Sequence, residues 1–278
     1  MVNYYLFYDK INIYLYIDLM GGIMNNISKK HKLLTIFILP AFWLLYFLFE
    51  IVTGRVTDLY TLVMNLSLTI VFAFVGWIIY KLGELNPRGF KTKTLFLIFF
   101  VLMLLDQGIK IIIGKFFFYN TFEIIPDFLS FHPIINTHGS WLNARFNFGV
   151  NFPLLIFINS IALILVIEIY RYHKAKGNKS FWSDMCLVFI MAGALCSLID
   201  KVFYGGSLDF IGISDLFIAD IKDIYINIGL LFFVMTAYMG GYFEDDTSTT
   251  FKEDIQGIKR FLVFIKNDIL KLIKKEKA

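Results

Sequence analysis

Cysteine and charged residues are both scarce in this chain, and each scarcity argues against a class of protein. Only Cys186 and Cys196 are present, with no CxxC pair and no His/Cys cluster. This pattern argues against a disulfide framework and against a metal site, and it predicts two small, buried apolar side chains. Charged residues make up 17% of the 278 residues and the net charge is +4. A soluble domain has about 25% charged residues, and so modest a net charge gives no indication of a nucleic-acid partner.

The hydrophobic residues, 58% of the chain, lie in long runs. A helix needs about 20 mostly apolar residues to cross a bilayer, and six runs meet this requirement. They are approximately Leu33–Val52, Leu62–Tyr80, Leu95–Gly114, Phe152–Tyr170, Phe181–Ile199 and Ile224–Tyr242. We therefore predict an all-α integral membrane protein with about six transmembrane helices and a small extracytoplasmic loop region. The chain has no internal repeat with paired broken helices, which weakens a transporter interpretation.

Lysine and arginine are concentrated in every second loop, and this pattern predicts how the chain is oriented in the membrane. They are frequent before the first run, in residues 81–93 and in residues 171–180, and sparse in residues 53–61, 115–151 and 200–223. Cytoplasmic loops carry the excess of positive charge. We therefore expect a multi-pass plasma-membrane protein with both termini in the cytoplasm and the loop of residues 200–223 outside.

The two ends of the chain differ from the rest. Within the N-terminal segment, residues 1–32, the first 23 residues are too interrupted by charge to span, and they lack the basic segment and cleavage site of a signal peptide. We take Met24 as the translation start, so that residues 1–23 are not translated. In residues 246–278, isoleucine and phenylalanine recur at helical spacing opposite lysine and arginine. This predicts an amphipathic helix on the anionic inner leaflet, with a solvated tail helix as the alternative.

Aspartates near the predicted spans mark the candidate site. Asp106 lies inside the third run, Asp200 ends the fifth, and Asp209 and Asp223 lie fourteen residues apart before and at the sixth. An ionisable group near hydrocarbon is costly and usually functional. Because two neighbouring carboxylates can share one proton, Asp209 and Asp223 are candidates for an acid–base pair. For each residue alone, the alternatives are an exposed loop carboxylate and a charge favoured by a helix N-terminus.

Short motifs surround these aspartates. In chain order they are Asp106-Gln107 with Lys110; Ile125-Pro126 and Phe128 followed by Asn136 and Gly139; Gly193, Cys196, Ser197, Asp200 and Lys201; Leu208-Asp209-Phe210; and Asp220, Lys222, Asp223 and Gly229. In this order the chain resembles the signal peptidase II (lipoprotein signal peptidase) family. The resemblance covers roughly residues 92–245 as a four-span core. It leaves residues 33–91, with two extra spans, outside.

The resemblance implies an aspartic endopeptidase without a cofactor. It would remove signal peptides from diacylglyceryl-modified prolipoproteins at the outer face of the membrane, with membrane lipid around the substrate and with Asp209 and Asp223 as the catalytic pair. Substrate binding or structural support is expected from eight residues: Asp106, Lys110, Asn136, Gly139, Ser197, Asp200, Lys201 and Asp220. Asp106 is expected either to pair with Lys110 one turn later or to bind backbone groups that hold the substrate cleft. Adjacent helical residues do not face each other, so the partners of Asp200 and Lys201 are expected elsewhere. His132 and His138 are weak candidates for a metal or a base.

Four substitutions depart from the family pattern. Ser197 stands at an asparagine, Lys201 at an arginine, Asp220 at an asparagine, and Lys222 at a small residue. The change from arginine to lysine removes a bidentate donor, and Asp220 and Lys222 change the charge beside the proposed pair. The alternative function is therefore a non-proteolytic relative that binds lipoprotein or lipid in an accessory or resistance role.

Overall fold

The structure is a computed structural model that describes residues 29–139, 141–146, 149, 151–243 and 251–275. The predicted translation start at Met24 lies outside the described residues. The chain divides into two compact units, residues Met1–Leu85 and Asn86–Ala278.

The described residues contain six helices that are long and apolar enough to cross a membrane, as the hydrophobic runs predict. They are α1 (Lys29–Val52), α2 (Leu59–Leu85), α3 (Thr92–Ile112), α5 (Phe152–Ala175), α6 (Phe181–Ile199) and α7 (Ile221–Met239). Helix α3 continues into a π-helical turn, Ile113–Phe117, and α6 into another, Asp200–Tyr204. The remaining helices are the short α4 (Trp141–Phe146) and the C-terminal α8 (Phe251–Lys275).

In the first unit, α1 and α2 approach closely at a glycine. A Cβ on Gly76 would lie 2.8 Å from the carbonyl oxygens of Thr35 and Ile36. The Trp43 indole N–H donates to the carbonyl of Asn65 at 2.8 Å. Small residues let membrane helices pack with their backbones close together, so Gly76 permits this helix pair.

In the second unit, α6 packs against α3, α5 and α7, and its contact with α7 is the most extensive. Cys196 and Leu231 are fully buried here, and Cys186 is half-buried. Neither thiol is in a disulfide bond. A Cβ on Gly193 would lie 2.6 Å from Cγ1 of Ile226 on α7. Because Gly193 has no side chain, α7 can lie close to α6. Helix α7 carries Asp223.

Replacing Gly193 by valine is expected to lower the free energy of unfolding by about 1–3 kcal/mol, because overpacking a close helix contact forces a backbone shift. Thermal unfolding in detergent measures the loss. Gly108→Ala on α3 is the matched control, because a Cβ at Gly108 meets no atom within 4 Å. Equal midpoints for the two variants would contradict a close-packing role for Gly193.

A four-stranded antiparallel sheet lies among the connections of the second unit, and sequence analysis did not predict it. Its strands, in the order β1-β2-β3-β4, are β1 (Phe122–Ile125), β2 (Leu129–Asn136), β3 (Ser207–Ile213) and β4 (Phe217–Ala219). The register of β2 and β3 pairs Ile134 with Asp209 and Asn136 with Ser207. The pairing joins residues about 70 to 85 positions apart, and such long-range partners leave no local signal in a sequence. The prediction of an all-α membrane protein with a small loop region is confirmed, and the small sheet is an addition to it that forms in the connections between the spans.

Candidate active site

The N-terminus of α7 positions two of the aspartates through a capping box. The Asp220 carboxylate accepts from the Asp223 backbone N–H at 3.3 Å, and the Asp223 carboxylate accepts from the Asp220 N–H at 3.2 Å. A capping box satisfies two backbone donors that the first helical turn leaves free. Asp223 therefore lies in the first turn, where the helix dipole favours a negative charge.

A third aspartate, Asp209, lies beside them on strand β3. Side chains two residues apart in a strand point to the same face, so Ser207 and Asp209 point the same way. The Asn136 amide on β2 donates to Oδ2 of Asp209 at 2.8 Å. The other carboxylate oxygen of Asp209, Oδ1, is buried and has no hydrogen-bond partner among the described residues.

Lys110 is the first of two ammonium groups that partly offset the negative charge of this cluster. Its Nζ lies 3.0 Å from Asp106, 2.7 Å from Asp200 and 2.6 Å from Asp220. The three carboxylates are essentially inaccessible to solvent. The contact with Asp106 is the one that the i,i+4 spacing predicts.

Lys222 is the second ammonium group, and it lies between the two proposed catalytic carboxylates. Its Nζ is 3.7 Å from Oδ1 of Asp209 and 3.9 Å from Oδ1 of Asp223. It is held by Asp220 at 2.5 Å and by the Ser207 hydroxyl at 2.6 Å. The Ser207 hydroxyl also contacts the carboxylates of Asp200 and Asp220, each at 3.0 Å. Its single proton can be donated to only one of these carboxylates.

Asp209, Asp220 and Asp223 each offer an oxygen, and these oxygens all lie within 4.8 Å of one another. The two proposed catalytic residues differ in exposure: Asp209 is buried, whereas the Asp223 side chain is 42% exposed. The pair is therefore accessible from the side of Asp223. Three carboxylates so close together would suit a cation, and the Lys222 ammonium supplies one.

Burial raises the pKa of Asp209 above its ordinary value, although the Lys222 ammonium opposes this shift. For Asp220, burial also acts to raise the pKa, but the ammonium groups of Lys222 and Lys110 outweigh it and leave the pKa lowered. The environment therefore favours the ionised form of Asp220, whereas Asp209 holds a proton to higher pH than an ordinary aspartate.

The remaining predicted residues lie around this cluster. The carboxylate of Asp106 accepts from the Lys222 backbone N–H at 3.0 Å and so connects α3 to the start of α7. The Lys201 ammonium donates to the Ser197 hydroxyl at 2.5 Å and to the Ser197 carbonyl at 3.3 Å. Two of the four substituted positions are thus in contact with each other.

The loop after β2 carries the last two predicted features. The Asn136 side-chain oxygen accepts from the His138 backbone N–H at 3.0 Å. Gly139 has a φ of 73°, a backbone conformation that favours glycine. His132 and His138 are both exposed.

Sequence reasoning missed three parts of the site. Ser207 lies two residues before Asp209, a spacing that becomes informative only once β3 is known to be a strand. The Gln107 amide donates to Asp106 at 3.0 Å and to Asp200 at 3.2 Å, and so links two buried carboxylates. Lys222 stood out as a departure from the family pattern, but nothing local indicated that its ammonium reaches four aspartates.

Fold and site together define a polytopic membrane protein with a buried carboxylate–lysine centre at the ends of its helices. The family model of signal peptidase (SPase) II matches residues 98–239. The chain therefore belongs to the signal peptidase II family, and it is a peptidase of the plasma membrane with multiple spans.

Named relatives agree with this assignment. The lipoprotein signal peptidase of Staphylococcus carnosus (strain TM300) is 31% identical over 125 residues, which cover 44% of this chain and 72% of the relative. That of Microcystis aeruginosa (strain NIES-843 / IAM M-2473) is 24% identical over 152 residues, which cover 53% of this chain and 94% of the relative. The chain is also similar to a solved structure described as a bacterial membrane enzyme. The two are 24% identical with a TM-score of 0.46, and the matched region covers 59% of this chain and 98% of the other.

Proposed function

We propose that this chain is an aspartic endopeptidase that removes signal peptides from diacylglyceryl-modified precursor proteins, with Asp209 and Asp223 as the catalytic pair. The observation that carries the proposal is the approach of their carboxylate oxygens to within 4.8 Å. Two hydrogen bonds of about 2.7 Å that meet at one water molecule can span this distance. The pair can therefore hold and activate the water that attacks a peptide bond.

The mechanism needs one ionised and one protonated carboxyl group. The ionised group takes a proton from water, and the protonated group donates to the carbonyl oxygen of the scissile peptide bond. Their roles then reverse as the tetrahedral intermediate collapses. A coupled pair titrates as a unit, so the two proton positions belong to the pair. Oδ1 of Asp209 accepts no hydrogen bond from the described residues, and the Asp223 carboxylate is partly exposed, so these are the oxygen atoms assigned to the transfers.

Exposed aromatic side chains near the cluster support a site at the membrane surface. Phe116 and Tyr119 follow α3, and Phe203 and Tyr204 follow α6; their exposed fractions range from 57% to 96%. Aromatic residues concentrate where a bilayer meets water. The diacylglyceryl group of the substrate would stay in the hydrocarbon while its peptide bond reaches the carboxylates. With the positive loops in the cytoplasm, this surface faces outward.

The defining experiment incubates the purified protein in detergent with a diacylglyceryl-modified prolipoprotein and follows release of the signal peptide. We expect cleavage immediately before the modified cysteine and no cleavage of the same precursor without the lipid. The non-proteolytic alternative is favoured by one observation, the Lys222 ammonium beside both carboxylates, because a cation opposes proton sharing. Saturable binding of the precursor without cleavage would establish that alternative.

The pH dependence of cleavage is expected to be bell-shaped. Activity rises as the pair loses its first proton and falls as it loses the second. Because burial raises the pKa of Asp209, the falling limb should lie above the ordinary aspartate value of about 4. Measuring kcat/KM across the pH range checks this, and a profile that stays flat from about pH 5 to 9 would contradict proton sharing.

Helix α8 is proposed to lie on the inner leaflet. It is attached to α5 by a 2.7 Å ion pair between Arg171 and Asp268 and by ring contacts of Tyr172 with Phe261 and Phe264. The side chains of Ile258, Leu262 and Ile269 remain exposed, by 60%, 57% and 44%. An apolar stripe beside basic residues is typical of a helix in the membrane interface.

Replacing Leu262 by aspartate is expected to release α8 from the bilayer. Protease added to inverted membrane vesicles should then cleave the tail several-fold faster than in the wild type, because the apolar stripe can no longer bury itself in lipid. Gln256→Ser changes an exposed polar residue on the same helix and serves as the control. Equal cleavage rates for both variants would favour a solvated tail helix.

A further inference from the structure

The position of Lys222 poses a physical problem for the proposed catalytic pair. Its ammonium lies 3.7 Å from Asp209 and 3.9 Å from Asp223. A positive charge at this distance favours the ionised form of both carboxylates. Proton sharing requires the opposite, since one of the two must stay neutral. Lys222 and the pair therefore cannot be electrostatically independent.

Asp220 offsets this charge. Its carboxylate lies 2.5 Å from the Lys222 ammonium, and one of its oxygens is within 4.8 Å of oxygens of both Asp209 and Asp223. The pair is thus exposed to one added positive and one added negative charge at similar distances. The family pattern has an asparagine and a small residue at these two positions, so the two substitutions leave the net charge beside the pair unchanged.

Other charged groups also face the Lys222 ammonium. Asp200, from the π-helical turn after α6, lies 3.6 Å away, and the Ser207 hydroxyl of β3 lies 2.6 Å away. Lys110 of α3 reaches the same Asp220 oxygen at 2.6 Å, and Lys201 repels Lys222 from the π-helical turn. Asp106 contacts the Lys222 backbone N–H rather than its ammonium. These groups fix the ammonium in place.

We propose that Lys222 is a positioning residue for the catalytic pair: its ammonium, held by Asp220 and Ser207, is a built-in counter-ion that sets the pH at which Asp209 and Asp223 give up their shared proton. This inference rests on the proposed function. In this role Lys222 acts through its charge and position, and the proton moves between the two carboxylates and the water. Lys222 and Asp220 act as one unit, so changing either alone alters the charge that the pair experiences.

The test is a double-mutant cycle. The measured quantity is the pH at which the falling limb of the kcat/KM profile lies in each variant. Lys222→Met removes the cation and should move the limb to higher pH by about one to three units, given unit charges about 4 Å apart. Asp220→Asn removes the anion and should move it to lower pH. In the double variant the two shifts should largely cancel and leave the limb within about half a unit of the wild type.

Two further variants separate charge from packing. Lys222→Arg keeps the positive charge and should leave the falling limb near its wild-type position. Lys115→Ala removes an exposed lysine of the π-helical turn after α3 and should leave it unchanged. If Lys222→Met does not fold, the opposite shift in Asp220→Asn still tests the inference. A limb that moves by less than about 0.3 units in both single variants would overturn it.

A second measurement needs no substrate and separates this inference from the proposed function. The infrared band of protonated carboxyl groups follows the shared proton directly, and Asp209→Asn identifies its contribution. If the band shifts with pH as the cycle predicts but the wild type cleaves nothing, the counter-ion role stands and the peptidase proposal fails. If the wild type cleaves and neither readout responds to Lys222→Met, the counter-ion role fails and the peptidase proposal stands.

Discussion

Replacing either Asp209 or Asp223 by asparagine should reduce kcat/KM for prolipoprotein cleavage by about 10²–10⁴-fold, the usual contribution of a positioned acid or base. Asparagine keeps the shape of the side chain but cannot exchange a proton at these pH values. The Asn136 contact to Asp209 and the hydrogen bond that the Asp223 carboxylate accepts from the Asp220 N–H involve oxygen atoms that an amide can partly mimic. The loss should therefore fall on kcat, with little change in thermal midpoint or in substrate binding.

The matched control is Asp215→Asn. Asp215 is an exposed aspartate in the turn between β3 and β4, close in sequence to both members of the pair. The Asp215→Asn variant should retain the wild-type kcat/KM. The double variant Asp209→Asn/Asp223→Asn should lose little more than each single variant, because residues that act as a unit are strongly non-additive. Two independent, multiplying losses would contradict a shared catalytic role.

Removing Lys110 should cause the largest loss of stability. Lys110→Met keeps the apolar stem of the side chain but leaves Asp106, Asp200 and Asp220 without their common ammonium. Breaking a buried ion pair by deleting one partner costs about 3–5 kcal/mol. For a chain of this size that corresponds to a thermal midpoint lower by about 10 °C, measured in detergent against Lys115→Ala.

The sign of the pH effect distinguishes this electrostatic cause from a packing defect. In Lys110→Met the folded protein buries uncompensated negative charge. Lowering the pH protonates those carboxylates and relieves their repulsion, so the difference from the wild type should shrink as the pH falls. Adding Asp220→Asn removes one orphaned carboxylate and should recover part of the midpoint. A deficit that stays constant with pH and with this second change would indicate lost packing instead.

Local sequence determines the six spans and the contacts within single helices. The six spans follow from run length and hydrophobicity, because the bilayer thickness selects helices of about 20 residues. The Asp106–Lys110 contact follows from helical spacing, and the free energy gained by a negative charge at a helix N-terminus is a local reason for Asp223 to lie where α7 begins. Each of these features depends on residues within one turn or one helix.

What only the tertiary structure decided is the arrangement of charge. The sheet pairs residues 129–136 with residues 207–213 and thereby points Ser207 and Asp209 toward the start of α7. Lys110 meets Asp200 and Asp220 across about 90 and 110 positions of sequence. Lys222 reads in the sequence as a departure from the family pattern, and only the packed helices place its ammonium between two carboxylates. The bilayer imposes the spans one helix at a time, whereas partners for buried charges come from whichever elements the fold brings together.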